Sequence, residues 1–129
     1  MFTIDQIKAA HSKVKSGADF PAYVQDIIKL GVISYTTYVN DSHTEYFGKD
    51  NYTIQSPPNP VTFIVKDESA IEKFKQALLT HQKGGTDFPT FRKESAEYGI
   101  EKWTTNTVDM TCTYFDKAGK KVLVEKIPE

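Results

Sequence analysis

The sequence predicts an α+β fold in which a helix–helix–strand–strand–strand unit is used twice, with helices on one face of a mostly antiparallel sheet. Three observations carry that expectation. Asp19-Phe20-Pro21 returns as Asp87-Phe88-Pro89, a step of 87 − 19 = 68 residues. The same step relates Gly17 to Gly85, Gly31 to Gly99, Thr36-Thr37 to Thr104-Thr105, Asp41 to Asp109, Tyr46-Phe47 to Tyr114-Phe115 and Lys49 to Lys117. Between these anchors the changes are chemically mild, with Tyr23 against Phe91, Val32 against Ile100 and Tyr35 against Trp103. An internal duplication about a pseudo-two-fold axis is the expected architecture.

Each unit opens with apolar residues at three- and four-residue steps, the helical period. Ile4, Ile7, Ala10, His11 and Val14 form the first stripe, and Ile71, Phe74, Ala77, Leu78 and His81 the second. Glycines follow, Gly17 in one half and Gly84-Gly85 in the other, where a helix end needs positive φ. Ser16 or Asp19, and Thr86 or Asp87, can cap a shorter second helix, with Pro21 and Pro89 in its first turn. That helix stops at Gly31 or Gly99.

β-branched and aromatic residues then dominate Val32–Val39 and its copy Ile100–Thr107. The returning strands are Thr44–Phe47 and Met110–Phe115, and third strands follow at Tyr52–Gln55 and Val122–Val124. Ser56-Pro57-Pro58-Asn59-Pro60 joins the units, and Val61–Val65 reads as one more short strand, with Asp67 or Ser69 capping the next helix. The expected organisation is one domain over 1–129, with repeats at 1–56 and 61–129 and a linker at 57–60.

At 129 residues the chain is long enough to bury roughly two-thirds of its unfolded surface, whereas each half alone would be marginal. A formal charge of −1 creates no field that would gather nucleic acid or an anionic membrane. No apolar run reaches the length of a spanning helix. The start lacks a basic stretch followed by an apolar one, and the lone Cys112 cannot form an internal disulfide. A cytoplasmic protein is expected.

Residues that recur serve the shared scaffold most economically, so a site is sought among those present once. His43 stands with Asp41 and Glu45 at two-residue spacing, which places all three on one side of a strand. The three could form a metal or acid–base cluster, but no second histidine sits at ligand spacing, and a solvated turn is the favoured reading. Cys112 could be a nucleophile, yet it alternates with Met110 and Tyr114 as a buried thiol would. Arg92, the only arginine, could clamp a carboxylate or phosphate; an ion pair with Glu94 or Glu97 is the structural alternative. Tyr35, Tyr38, Tyr46, Trp103 and Tyr114 bring rings to the strands, as half-buried packing or as an open stacking face beside Lys102, Lys117, Lys120 and Lys121. The recurring Asp19 and Asp87 read as caps, and the paired threonines as strand residues. No phosphate-binding Gly-rich loop is present, and no cofactor, metal or catalytic set is expected.

The strings Gly85-Thr-Asp-Phe-Pro-Thr-Phe91, Ala96-Glu-Tyr-Gly-Ile-Glu-Lys-Trp103 and Thr113-Tyr-Phe-Asp-Lys-Ala-Gly-Lys-Lys-Val-Leu-Val-Glu-Lys-Ile-Pro128 resemble the YdfO-like family of small bacterial and prophage-borne proteins, often labelled "phage envelope protein". The resemblance implies a duplicated α+β domain of unknown function and supplies no catalytic residue. The functional expectation is a non-enzymatic binding or interaction module, with a groove or a homodimer surface made from sheet aromatics. An enzyme with a cleft between the halves, using His43, Glu45, Cys112 or Arg92, is the alternative. Single-strand nucleic-acid binding comes third, disfavoured by charge. The site candidates reduce to Tyr35, His43, Glu45, Arg92, Trp103 and Cys112.

Overall fold

Thr3 and Gln6 start the first helix by bonding each other's backbone, Thr3 Oγ1 accepting from the Gln6 N–H (3.2 Å) and Gln6 Oε1 from the Thr3 N–H (2.9 Å). The computed structural model describes residues 2–15 and 19–127. Ser16, expected as a cap, Gly17, expected to end the first helix, and Pro128 lie outside the described residues. Helix α1 spans Ile4–His11 and α2 spans Phe20–Leu30, with Pro21 in its first turn and Gly31 at φ 106° beyond its end. Helices α3 (Ile71–Gln82) and α4 (Phe88–Glu97) repeat the pair, and Gly99 stands past α4 at φ 80°.

The two matched aspartates behave differently. Asp87 caps α4, accepting from the Thr90 N–H at 2.9 Å. Asp19 occupies the corresponding position but makes no side-chain cap bond; its carboxylate accepts from the Lys15 N–H behind it. Neither Asp67 nor Ser69 caps α3, which begins after Ala70; Asp67 instead meets Lys117 at 3.0 Å.

Six strands form one antiparallel sheet in the order β3-β2-β1-β4-β5-β6. They are β1 (Ser34–Tyr38), β2 (Thr44–Phe47), β3 (Thr53–Gln55), β4 (Lys102–Asn106), β5 (Thr111–Phe115) and β6 (Lys121–Lys126). The expected class and the helix–helix–strand–strand–strand order are thus present. The sheet reads outward identically from its central β1/β4 pair. Thr36 faces Thr104 there, their hydroxyls 2.8 Å apart, with Tyr35 opposite Thr105 and Thr37 opposite Trp103.

Alternation sends Tyr35, Thr37, Thr44, Tyr46, Trp103, Thr105, Cys112 and Tyr114 to the buried face. Their partners Thr36, Tyr38, Glu45, Phe47, Thr104 and Phe115 stand half-exposed on the other. Two apolar clusters lie between sheet and helices. One centres on Tyr23, Ile27, Val32 and Tyr46; the other includes Val24 and Val39 from the first half with Phe74, Phe91 and Ile100 from the second. Burying each large side chain contributes about 1.5–3 kcal/mol.

Val61–Val65 is not a strand. Its composition suits one, but its backbone is engaged away from the sheet edges. The Phe63 and Lys66 N–H groups bond instead to the Asn40 and Ala96 carbonyls at 2.8 and 3.0 Å, so the segment is a strap between a sheet end and α4. No helix among the described residues is long and apolar enough to cross a membrane.

Candidate functional site

The two helix pairs stand apart above the middle of the sheet, leaving a cavity of about 800 Å³. Tyr35, Tyr46, Trp103, Cys112 and Tyr114 rise from the strands as its floor, while Tyr23 from α2 and Phe91 from α4 face it from opposite sides. The rings meet at angles: Tyr23 lies edge-on to Tyr35 (6.5 Å), Trp103 tilts against Tyr114 (6.0 Å) and against Phe91 (5.7 Å). Burial pushes the phenols of Tyr23, Tyr35 and Tyr114 above their ordinary value, so all three remain neutral donors at pH 7.

Histidines flank the chamber. His81 stacks on Phe91 (4.4 Å between centroids, 6° between planes), and its Nδ1 lies 3.0 Å from the Thr86 carbonyl. His11 meets Tyr23 edge-on. Burial holds both imidazoles below their ordinary value and hence neutral at pH 7. At the far side Glu125, on β6 opposite Cys112, accepts from Gln82 Nε2 at 3.1 Å and from the Tyr114 hydroxyl at 3.4 Å.

Of the residues singled out from sequence, Tyr35, Trp103 and Cys112 come together in this cavity. His43 and Glu45 do not join them. They belong to the opposite side of the sheet, where the His43 ring stacks on Tyr38 (4.4 Å), its Nδ1 bonds Asp41 at 2.5 Å and its Nε2 lies 3.9 Å from Glu45. Hydrogen bonds from His43 outweigh partial burial and hold the Asp41 carboxyl below its ordinary range. Among the described residues, no three His, Cys, Asp or Glu side chains are placed to hold a metal ion.

Arg92 is elsewhere again, and its expected ion pair is absent. It is only 3% exposed and donates to the carbonyls of Val61 (2.7 Å), Val39 (3.3 Å) and Asn40 (3.4 Å), with Phe63 against its guanidinium at 4.4 Å. α4 turns this position inward, and backbone acceptors satisfy it there. His43, Cys112 and Arg92 therefore cannot act as one catalytic set.

The stacking face also needs correction. Tyr35, Tyr46, Trp103 and Tyr114 all point beneath the helices, leaving Tyr38 as the only one of the five on the open face. The paired threonines are engaged internally, Thr36 with Thr104 and Thr37 with Thr44 (3.0 Å). Two cavity residues, Glu125 and Gln82, were not singled out from sequence. A signal existed for Glu125: continuing the alternation of β6 one residue past its expected end gives it the same side as Leu123, an inward place for a carboxylate.

Cys112 is 4% exposed, and burial pushes its thiol up to about 11 from 9.0; hydrogen bonds with Tyr114 and Thr105 oppose this and the charge of Glu125 adds to it. The thiolate population at pH 8 should be about 100-fold below that of the unfolded chain. Labelling with a disulfide reagent is expected to be at least that much slower in native protein than in denaturant, and native labelling at the unfolded rate would contradict this burial. The thiol's stabilising contribution is complete below pH 9, where both states are protonated. It is lost as pH rises from 9 towards 11, where the unfolded chain ionises first.

Fold and cavity define the class: small α+β proteins with one antiparallel sheet beneath two helix pairs and a partly open aromatic chamber between them. The chain belongs to the family described as "Protein of unknown function (DUF1398)", whose model matches residues 8–126. No curated protein matches it.

Proposed function

We propose that the protein is a non-enzymatic, cytoplasmic binding module of the YdfO-like, prophage-borne kind, built by tandem duplication, which takes a small aromatic ligand into the chamber between its helix pairs. The cavity carries this reading. Its volume of about 800 Å³ lies within the range of about 300–1,000 Å³ that accommodates drug-sized ligands. Its lining is mostly apolar and aromatic, with a few convergent polar groups, the usual composition of such sites. Duplication is supported by the matched element order and by Thr36 facing Thr104, the residues related by the 68-residue step.

Trp103 is the only tryptophan and stands on the cavity floor, so its indole N–H gives one NMR signal that reports on the chamber. A screen of small aromatic compounds should contain members that shift this signal saturably. If none does at millimolar concentration, the chamber is not a binding site.

A further inference from the structure

Five residues lining the chamber carry a full charge: Lys8, Lys15, Asp87, Lys126 and Glu125. The first four are exposed, where water and salt screen them; Glu125 alone is half-buried. One of its carboxylate oxygens takes both neutral donors, Gln82 and the Tyr114 hydroxyl. Among the described residues no Lys, Arg or His nitrogen lies within 4.0 Å of it, whereas Lys117 meets Asp67 at 3.0 Å and His43 meets Asp41 at 2.5 Å. Even half-buried, a carboxylate without a counter-ion carries a desolvation cost, and a cationic group placed beside it relieves that cost.

The surrounding rings favour the same occupant. Aromatic faces carry the negative end of the ring quadrupole and attract a desolvated cation. A neutral aromatic ligand would use the rings alone, and an anionic one would be repelled by Glu125. Both features therefore converge on one chemical class.

We propose, on the basis of the binding reading above, that the chamber selects an aromatic cation, its charge set against the Glu125 carboxylate and its ring system held among Tyr35, Trp103 and Tyr114. Burial, which pushes the Glu125 carboxyl above its ordinary value against the hydrogen bonds from Gln82 and Tyr114, agrees with a carboxylate short of positive charge.

Three near-isosteric probes test this by calorimetry on the full chain: 1-methylquinolinium, neutral 1-methylnaphthalene and anionic 1-naphthoate. The cation should bind at least about tenfold more tightly than the neutral compound, and the anion most weakly. Glu125→Gln, with its fold checked by circular dichroism, should cut the preference for the cation several-fold, leaving only the share that the rings supply. Gln82→Ala, which keeps the charge and removes one donor, should preserve the preference, and it stands in should Glu125→Gln fail to fold. Equal affinities in the unaltered protein, or a preference left undiminished by Glu125→Gln, would overturn the proposal while leaving the chamber a binding site. Failure of all three probes to bind would remove the binding reading together with it.

Discussion

Replacing Arg92 by Met is expected to destabilise the fold by about 3–4 kcal/mol, a large share of the roughly 5–15 kcal/mol of a typical domain. Met can fill much of the volume but cannot donate. The carbonyls of Val39, Asn40 and Val61 would lose a charged donor, and Val39 is fully buried. The strap after the linker would lose the contact of Phe63 with the guanidinium as well. Arg92→Lys should recover less than half, because one ammonium cannot reproduce a planar fork spanning carbonyls on two segments. Urea unfolding monitored through Trp103 measures both variants. A loss below 1 kcal/mol for Arg92→Met would mean that the three carbonyls find other donors and that the strap is held independently.

The next largest effect is expected at Gly99. Its φ of 80° disfavours any side chain by about 1–2 kcal/mol. An added Cβ would also stand 2.4 Å from the Glu68 carbonyl oxygen and 2.8 Å from the Ser69 Cα, both backbone atoms that cannot swing aside. Moving that segment costs about 1–3 kcal/mol more, giving about 2–5 kcal/mol for Gly99→Ala. Gly31, its counterpart in the first half, has φ 106°, but its nearest neighbour is the Phe2 ring at 3.8 Å. Gly31→Ala should therefore cost only the backbone part, about 1–2 kcal/mol. Similar losses at the two sites in the same unfolding assay would show that the Glu68–Ser69 segment yields easily, contrary to its close approach to Gly99.

That contrast marks how far sequence reasoning reached. Both glycines were visible as helix stops, because positive φ is a local property of the chain. The approach of the Glu68 and Ser69 backbone to only one of them could not be seen, since it depends on where the segment leading into α3 runs. The aspartates repeat the lesson. Identical Asp-Phe-Pro triplets start α2 and α4, yet only Asp87 turns its carboxylate onto the helix N-terminus, while Asp19 is taken by the Lys15 N–H. A cap depends on where the preceding chain runs.

The candidate site was partly legible. Tyr35, Trp103 and Cys112 were named as individuals, and strand alternation was sufficient to turn them to one side. Which side the helices would cover was not contained in the alternation, so an open stacking face remained a reading until the layers were placed. Arg92 was misjudged because burying an arginine without a carboxylate partner requires several backbone carbonyls to gather from distant segments. Glu125 was missed because the expected strand ended one residue too soon.

Taken alone, the order of residues determined the α+β class and, apart from the extra strand expected at Val61–Val65, the succession of helices and strands, all of which depend on contacts within a few neighbours or on a visible periodicity. Tertiary structure decided what is buried, what is paired and what surrounds the chamber. Those outcomes depend on segments far apart in the chain approaching within a few ångströms, and neither composition nor spacing encodes that distance.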